Sequence, residues 1–378
     1  MTGESRLEMW LPGPLDAAAR LAIERLVATD GVEAVAIMPD AHLAEEVCVG
    51  TVVATRTMLL PGAIGGDIGC GVLARPFDGD MSLLRDERTA ARILAGLYRV
   101  VPAARHPRAR PLPEALADNS LRDVRLTSVL ERDGRVQLGT LGRGNHFLEL
   151  QLSEVDGRLW VAVHSGSRAF GQAVLAAHLS KTSMTATRLH CLDASTAEGQ
   201  AYLADMALAL AYADANRRSM LDAATTLLTT VLGVTPDPRA EISCVHNFVR
   251  REIHRGEELW VHRKGAISAH AGEPGIVPGS MGAPTFHVEG RGCERSLCSS
   301  SHGAGRAMTR SEARRRIGVG ELRRQLRGVW FDERRADALR DEAPAAYKDV
   351  GRVMRAQSEL TRIVRRLRPL LSYKGVER

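Results

Sequence analysis

The sequence predicts an α/β protein, a single domain of mixed sheets with surrounding helices. Short apolar runs bounded by turn residues alternate with longer helical stretches along the chain. The 378 residues are 44% hydrophobic and 25% charged, which is typical of a globular protein with a large core. Because no low-complexity tract, fixed-period repeat or Ser- and Gly-rich linker divides the chain, we predict one domain over residues 1–378.

The first half of the chain alternates between helical and extended patterns. Apolar residues recur on one helical face over residues 16–30, which predicts a helix. Residues 32–55 hold short apolar runs between turn residues, which is typical of strands. The Pro- and Arg-rich residues 105–113 indicate a loop. We predict further strands over residues 136–152 and 159–163.

The second half contains the longest helical pattern. Residues 197–232 are rich in alanine and lack proline, which predicts a long helix. Residues 259–288 carry Gly and Pro at short intervals, so strands and tight turns are predicted there. From Gly303 to Leu371 the chain is arginine-rich, and we predict helices.

Charge and hydropathy restrict the class of partner only weakly. The net charge of +6 favours a polyanionic partner, although a basic protein without such a partner is equally compatible with it. The 4% aromatic content argues against base-stacking platforms. The start resembles no signal peptide, and no stretch reaches the ~18 apolar residues of a membrane span. We therefore expect a cytoplasmic protein with no membrane partner.

Six cysteines are scattered along the chain, a pattern that does not suggest a disulfide framework in a reducing compartment. Any special cysteine is then a metal ligand or nucleophile. We interpret five of them as ordinary thiols, namely Cys48, Cys191, Cys244, Cys293 and Cys298. The sixth, Cys70, follows Asp67 by three residues among glycines that allow sharp turns.

Four histidines also occur in short contexts rich in glycine or asparagine: His146, His164, His246 and His302. Together with Asp67 and Cys70 they form a mixed oxygen, sulfur and nitrogen donor set, in which a thiolate can bridge two divalent ions. Each histidine taken alone is more often a hydrogen-bonded core residue, and spacing does not show that they converge. The residues alone thus indicate a metal-dependent phosphoryl-transfer or hydrolytic enzyme.

Nine segments of this sequence resemble, in the same order, signature segments of the RtcB RNA ligases. The resemblance covers about residues 35–375, and it implies an RtcB-like fold. The segments are Met38–His42, Asp67–Gly71, Gly139–Phe147, His164–Arg168, Trp260–Ala266, Pro278–Gly282, His302–Arg306, Ala346–Val350 and Tyr373–Gly375.

The resemblance implies a site for two Mn²⁺ ions, with the Cys70 sulfur between them. It also implies that His302 attacks the α-phosphorus of GTP and forms a histidine–GMP adduct. GMP then passes to an RNA 3′-phosphate, and a 5′-hydroxyl displaces it; a 2′,3′-cyclic phosphate is first opened. The implied metal ligands are Asp67, Cys70, His146, His164 and His246.

The implied GTP-binding residues include Glu149, which can accept hydrogen bonds from guanine N1–H and the exocyclic amine. Phe147 and Tyr347 either pack on the base or are core aromatics. The implied set is Asn145, His146, Phe147, Leu148, Glu149, His246, Asn247, Pro278, Gly279, Ser280, Met281, Thr285, His302, Gly303, Ala304, Gly305, Tyr347 and Lys374.

Three basic residues within the matched segments, Arg168, Lys264 and Arg306, are candidates to bind GTP phosphates or RNA ends; the alternative for the two arginines is a structural ion pair. Asp40 and His42 are expected to orient metal ligands through hydrogen bonds. The arginines between residues 314 and 327 alternate with acidic residues, which favours a solvated helix face.

The implied substrate is RNA with broken tRNA or rRNA ends, and the implied partners extend to an archease-like activator, with a monomer or weak dimer as the assembly. The chain is shorter than the longer RtcB form, has Ala44–Cys48 where glycines are common, and has Arg143 where a small residue is common. These departures leave three alternatives: a metal-dependent cyclic phosphodiesterase, a 3′-phosphate end-capping enzyme without ligation, and a non-catalytic RNA-damage-binding protein.

Overall fold

Two large β-sheets, with helices packed around them, form the protein in a computed structural model. It describes residues 6–80, 84, 86–117, 121 and 123–375. The fold is α/β with several sheets, as the sequence predicted. The single-domain organisation remains a prediction.

The larger sheet has the strand order β10-β5-β7-β6-β18-β16-β15, and β11 also pairs with β5. Its pairings are antiparallel. Its strands are β5 (Gly71–Asp78), β6 (Phe147–Ser153), β7 (Leu159–Ser165), β10 (Thr235–Pro236), β11 (Ile242–Val245), β15 (Pro274–Val277), β16 (Thr285–Gly290) and β18 (Thr361–Lys374).

The second sheet has the order β1-β2-β3-β13-β12, and its only parallel pairing among the described residues joins β1 to β2. Its strands are β1 (Leu7–Met9), β2 (Val32–His42), β3 (Val49–Thr55), β12 (Asn247–His254) and β13 (Glu257–Lys264). Two small sheets accompany it, built from β4 (Met58–Leu59), β8 (Ser183–Met184), β9 (His190–Asp193), β14 (Ala266–Ser268) and β17 (Ser299–Ser301).

The described helices lie outside the sheets. A π-helical turn at Leu130–Gly134 joins two of them, and short 3-10 turns occur at Pro61–Ala63, Pro238–Ala240, Glu294–Ser296, Glu333–Arg335, Arg340–Glu342 and Pro344–Ala346. The helices are α1 (Ala17–Val27), α2 (Glu87–Val100), α3 (Glu114–Ala117), α4 (Val124–Val129), α5 (Arg135–Gln137), α6 (Arg168–Leu179), α7 (Ala197–Leu232), α8 (Arg310–Arg316), α9 (Val319–Gln325) and α10 (Val350–Ala356).

Helix α7 organises the core because one of its faces stays buried along its length. Thr196 caps its first turn by accepting a hydrogen bond from the Gly199 amide, and Gly233 ends it in the left-handed conformation (φ 70°). Its apolar residues contribute to two hydrophobic clusters, one against the larger sheet and α2, the other against α6. Burial of this face, more than intrinsic propensity, holds the helix.

Most elements agree with the sequence-based predictions, including the helix at 197–232 and the strands at 32–42 and 49–55. Two predictions were wrong in part. Residues 136–152 form a strand only from Phe147, because Gly139, Gly142 and Gly144 take positive φ in the preceding loop.

The predicted helical region after Gly303 ends in a 14-residue strand, β18 (Thr361–Lys374). Its arginines are concentrated at the exposed positions of its first half, whereas Leu367, Leu371 and Tyr373 are buried. Pairing with β6 and β16 therefore determines the structure of this segment, and not its arginine content.

Candidate active site

Strand register brings four predicted metal ligands to one end of the larger sheet. Cys70 precedes β5, His146 precedes β6, His164 lies near the end of β7, and His246 lies between β11 and β12. His164 is paired with Val72 on one side and with Phe147 on the other. Because His246 connects the larger sheet to the second sheet, the site lies where the two sheets meet.

The donor atoms form two groups that share the Cys70 sulfur. In the first, Cys70 Sγ lies 3.3 Å from His164 Nε2, which is 3.0 Å from His246 Nε2. In the second, the same sulfur lies 3.4 Å from His146 Nε2, which is 3.0 Å from Asp67 Oδ2. Within each group the donor atoms lie within 4.8 Å of one another, as expected of ligands around one ion. A single sulfur therefore belongs to both groups.

The protonation states favour cation binding. His146 donates its Nδ1–H to the Leu141 carbonyl at 2.9 Å, so the Nε2 lone pair faces the site. Burial lowers the pKa of His164 and of His246 well below the ordinary value, so both imidazoles are neutral. Burial also raises the pKa of Cys70, and a bound cation would favour its thiolate. The donor set fits divalent cations that accept N, O and S ligands.

Two buried polar residues of α7, which the sequence analysis did not identify, position the ligand-bearing loops. Arg217 donates from Nη1 to the Gly69 and Ser165 carbonyls at 2.6 and 2.9 Å. Asn216 accepts from the Gly139 amide at 2.7 Å and donates to the Gly166 carbonyl at 3.2 Å. An available signal was the Asn-Arg pair within the alanine-rich helix, because buried polar groups require partners.

Gly166 provides the space for the Asp67 carboxylate, because a Cβ at this glycine would overlap Asp67 Oδ1. Gly166 has no positive φ, so alanine fits the backbone itself. We expect Gly166→Ala to displace the carboxylate from His146 and to weaken the binding of an added divalent cation, such as Mn²⁺, by ~10–100-fold, the range seen when support of a ligand is lost. Titration followed by electron paramagnetic resonance would measure this. Gly318→Ala, with nothing within 4 Å of its Cβ, is the control and should bind normally.

His302 lies beside the metal ligands and contacts a buried carboxylate. Its Nδ1 is 2.7 Å from Asp40 Oδ2, and Asp40 is fully buried. The His302 and His246 ring centroids are 4.5 Å apart. The expectation that Asp40 orients a metal ligand was wrong, since its side chain contacts His302. His42 Nδ1 lies 3.0 Å from the Asp40 carbonyl.

The loop after His302 packs closely on the strand that carries Asp40. Gly305 has φ 71°, and a Cβ there would overlap the Asp40 carbonyl, so only glycine allows this approach. Lys348 donates from Nζ to the Pro39 and Ala41 carbonyls at 3.2 and 2.6 Å. These contacts fix the position of the Asp40 carboxylate next to the His302 imidazole.

A cavity of about 460 Å³ opens onto both donor groups and His302. Most residues that the resemblance assigned to GTP line it, namely Asn145, Phe147, Glu149, His246, Asn247, Pro278, Gly279, Ser280, Met281, His302, Gly303, Ala304, Gly305, Tyr347 and Lys374. Lys264 and Arg306 also line it. The Ser280 hydroxyl is buried without a hydrogen-bond partner, as expected of a group reserved for a ligand.

Four predicted site residues do not line this cavity. His146 lies behind Asp67 and Cys70, and Leu148 belongs to the core, in a strand paired on both sides. Thr285 accepts a hydrogen bond from Gln151 at 2.9 Å. Arg168 donates to Thr140 Oγ1 at 3.3 Å and to the Ala103 carbonyl at 3.4 Å, behind the metal ligands.

Glu149 is a buried carboxylate at the far side of the cavity. Gln151 Nε2 donates to it at 3.0 Å and Ser372 Oγ at 2.8 Å. Burial outweighs these bonds and the charge of Lys374, and it raises the pKa of Glu149 to about 7. The carboxylate thus titrates near neutral pH.

A second buried carboxylate, Glu342, joins the basic residues of the cavity, and the sequence analysis did not identify it. It forms ion pairs with Lys374, with Arg310 at 2.6 Å and with Arg306 at 3.3 Å, and it accepts from Tyr347 OH at 2.7 Å. Burial raises its pKa, but the charges of Lys374 and Arg310 lower it to about 2. The ion-pair alternative for Arg306 is therefore observed, while this residue still faces the cavity.

The remaining candidates lie at the cavity wall. Lys264 donates to the Gly62 carbonyl at 3.0 Å, and burial lowers its pKa. Phe147 packs edge-on against His164, with ring centroids 5.3 Å apart, and Tyr347 lies 4.9 Å from the Arg306 guanidinium carbon.

The arginines between residues 314 and 327 are exposed on α8 and α9 and in the turn after them, as predicted.

Comparison with known proteins identifies similar chains over nearly the whole length. A family model described as "tRNA-splicing ligase RtcB" matches residues 23–132 and 115–375. "RNA-splicing ligase RtcB1" of Escherichia coli ATCC 25922 is 37% identical, over 99% of this chain and 98% of that protein. "RNA-splicing ligase RtcB" of Escherichia coli K12 is 36% identical over the same shares. "tRNA-splicing ligase RtcB" of Archaeoglobus fulgidus is 28% identical, over 90% of this chain and 87% of that protein.

The described part of the chain contains no helix that is both long and apolar enough to cross a membrane.

Proposed function

Because this chain belongs to the RtcB family, we propose that it is a GTP- and Mn²⁺-dependent ligase that joins RNA 3′-phosphate or 2′,3′-cyclic phosphate ends to 5′-hydroxyl ends. One observation carries the proposal: two donor groups share the Cys70 sulfur, and His302 lies next to them in the same cavity. This arrangement supports the proposal because it offers donors for a dinuclear centre and, beside them, an imidazole that could act as the nucleophile.

Each donor group would hold one Mn²⁺, the first through Cys70, His164 and His246, the second through Asp67, Cys70 and His146. Bound there, divalent cations would neutralise negative charge on phosphoryl oxygens. The chain's own contribution is to fix the donors. Leu141 orients His146, and Arg217 and Asn216 hold the loops that carry the other ligands.

His302 is the proposed nucleophile. Asp40 Oδ2 lies 2.7 Å from His302 Nδ1, and a proton held on Nδ1 by this carboxylate would leave the Nε2 lone pair free to attack. A bond forms between Nε2 and the α-phosphorus of GTP, and the bond from that phosphorus to the bridging oxygen of pyrophosphate breaks. The buried Asp40 carboxylate stabilises the positive charge that develops on the imidazole, so no proton needs to leave during attack.

Two further transfers would complete ligation. An oxygen of the RNA 3′-phosphate attacks the phosphorus of the histidine–GMP adduct, and the N–P bond breaks, which restores His302 and gives an RNA-ppG end. The 5′-hydroxyl oxygen then attacks the RNA 3′-phosphorus, its proton is lost, and GMP leaves. Lys264 and Arg306, which line the cavity, would bind the phosphates in these steps. Arg168 lies behind the metal ligands, so its proposed role is to support those ligands and not to contact a phosphate.

Asp40 is proposed as a positioning residue, and its removal should affect chemistry more than binding. We expect Asp40→Asn to slow adduct formation by ~10²–10⁴-fold, since the amide supplies no negative charge to the imidazole. GTP affinity should change by less than ~3-fold. Single-turnover labelling over a range of GTP concentrations separates the two effects. Asp222→Asn, at an exposed carboxylate paired with Arg75, is the control; equal losses in rate and affinity in Asp40→Asn would contradict the assignment.

Glu149 is proposed to accept hydrogen bonds from the guanine base, which adenine cannot supply. Since its pKa is raised to about 7, we expect GTP affinity to fall by ~10-fold per pH unit below that value. Glu149→Gln should bind GTP weakly at every pH without this dependence. In the free protein, the unfolded chain ionises Glu149 from about pH 4.5, whereas the folded chain ionises it only near pH 7. The free energy of unfolding therefore falls as the pH rises between these two values, and this loss is complete above about 7. Isothermal titration between pH 5.5 and 8.5 measures the affinity, and a parallel pH dependence in the variant would refute this role.

The proposed function is tested with a broken RNA stem-loop that bears 2′,3′-cyclic phosphate and 5′-hydroxyl ends. With GTP and Mn²⁺ we expect a sealed strand, and we expect none with ATP. An opened 3′-phosphate alone would indicate a cyclic phosphodiesterase, and a stable guanylylated end without sealing would indicate a capping enzyme. RNA binding without turnover, unaffected by chelator, would indicate a non-catalytic damage-binding protein.

We propose broken tRNA or rRNA as the substrate, an archease-like activator as a partner, the cytoplasm as the compartment, and a monomer or weak dimer as the assembly. Ligation measured with and without an added archease tests the second of these.

A further inference from the structure

A second cluster of metal-type donors lies at the other end of β12, away from the cavity. It consists of His254, Glu294 and Cys298, whose donor atoms lie within 4.8 Å of one another. His246 and His254 lie eight positions apart along extended chain, so the two sites are separated by ~26 Å. We propose that this cluster, the β12 metal site, binds a divalent transition metal of the zinc type.

The orientation of His254 is the first argument. Its Nε2 lies 3.0 Å from Glu252 Oε2, and its Nδ1 faces Glu294 Oε2 at 3.1 Å. Histidines that bind metals commonly donate their other ring N–H to a carboxylate, which fixes the tautomer. Glu252 is itself held by the guanidinium of Arg263, at 2.5 and 3.0 Å. Nδ1 contacts Glu294 in the structure, and a cation bound between them would replace the proton of this contact.

The donor distances are the second argument. With usual Zn–N, Zn–O and Zn–S lengths, tetrahedral ligands lie ~3.4 Å apart for N and O and ~3.6 Å apart for O and S. In the structure, His254 Nδ1 lies 3.1 Å from Glu294 Oε2, and Cys298 Sγ lies 3.7 Å from Glu294 Oε1. The two distances run to different oxygens of the Glu294 carboxylate, and one donor atom from each residue lies within 4.8 Å of the others, so small side-chain shifts would bring the three around one ion.

The local backbone is the third argument. Cys298 and Leu297 both take positive φ, 45° and 52°, although neither is glycine. The Cys298 amide returns to the Cys293 carbonyl at 3.0 Å, and this turn places the Glu294 and Cys298 side chains together. Arg263 holds the turn against β12 by donating to the Leu297 carbonyl at 3.1 Å. In the proposed site Cys298 is therefore a ligand, and not the ordinary thiol that the sequence analysis expected.

The site has three protein ligands and an open side. Cys298 and His254 are buried, whereas the Glu294 side chain is 49% exposed. His254 and Glu294 also line a cavity of about 290 Å³. A tetrahedral ion would complete its coordination with water there. The mixed sulfur, nitrogen and oxygen donors select zinc-type ions over Mg²⁺ or Ca²⁺, which prefer oxygen. The ion would join β12 to the turn.

The test separates this site from the catalytic one by using full-length Cys70→Ala protein, which lacks the catalytic sulfur. Purified chain, stripped with chelator and reloaded with Co²⁺, should show a sulfur-to-cobalt charge-transfer band of one equivalent. We expect Cys298→Ser in the same background to lose the band and to bind Zn²⁺ at least ~100-fold more weakly. Cys293→Ser, which removes the neighbouring thiol, is the matched control and should keep both properties.

A second variant and the following outcomes decide whether the β12 metal site exists. If Cys298→Ser does not fold, Glu294→Gln, at a half-exposed position, should weaken Zn²⁺ binding while its melting temperature in chelator matches that of the parent. Absence of the cobalt band in Cys70→Ala would overturn the proposal, and so would equal Zn²⁺ binding by the Cys298→Ser and Cys293→Ser proteins. In that case His254 would be an imidazolium that bridges Glu252 and Glu294 without an ion.

Discussion

Cys70→Ala is expected to abolish binding of both catalytic cations, because its sulfur is the one donor that belongs to both groups. Each group would retain two donors, too few to hold Mn²⁺ firmly in competition with water. We expect the two tight Mn²⁺ equivalents proposed for the parent chain to fall to none, and ligation to fall by at least ~10⁴-fold. Electron paramagnetic resonance measures the free Mn²⁺ directly.

A cysteine outside the cavity provides the control for this prediction. Cys191 in β9 is half-buried, packs against a hydrophobic cluster, and has its sulfur 3.2 Å from the Ser183 hydroxyl. Cys191→Ala should keep both Mn²⁺ equivalents and full activity. Retention of one tight equivalent by Cys70→Ala would show that the sulfur does not bridge, and the dinuclear centre would have to be revised.

His302→Ala is expected to abolish the covalent adduct with GMP. No other imidazole that lines the cavity is paired with a buried carboxylate, among the described residues, so none replaces it. Incubation with α-labelled GTP and Mn²⁺ should label the parent protein and leave the variant unlabelled, with ligation reduced by at least ~10⁴-fold. The label on the parent should be acid-labile and alkali-stable, as a phosphoramidate is.

The partly exposed imidazole of His270, outside the cavity, is the control for that experiment. His270→Ala should label like the parent. Mn²⁺ binding by His302→Ala should also persist, since His302 belongs to neither donor group. Undiminished labelling of His302→Ala would assign the nucleophile to another residue, while loss of Mn²⁺ binding would make His302 a ligand.

The sequence predicted local structure best where one pattern dominates. The helix at Ala197–Leu232 was predicted to the residue, because its alanine-rich, proline-free composition has no competing interpretation. The strand at Thr361–Lys374 was missed, because its outer arginines resemble a solvated helix and its pairing partners lie far away in sequence. Non-local pairing of this kind is not encoded in any short window.

The residue pattern alone also did not predict that the metal-ligand candidates converge in space. Cys70 and His164 are 94 positions apart, and only the antiparallel register of β5 and β7 brings them within 3.3 Å. The resemblance to a family supplied the grouping that spacing did not. It did not supply the supporting residues, because the importance of Arg217, Asn216 and Glu342 lies in burial and hydrogen bonding, which only the folded chain reveals.

We propose that one sulfur, three imidazoles and one carboxylate surround a pair of cations beside the His302 nitrogen. Anomalous scattering at the manganese edge, from crystals grown with Mn²⁺ and a non-hydrolysable GTP analogue, tests it most directly. We expect two peaks, one on each side of Cys70 Sγ, with the α-phosphorus facing His302 Nε2. A single peak, or peaks that do not contact Cys70, would contradict the account.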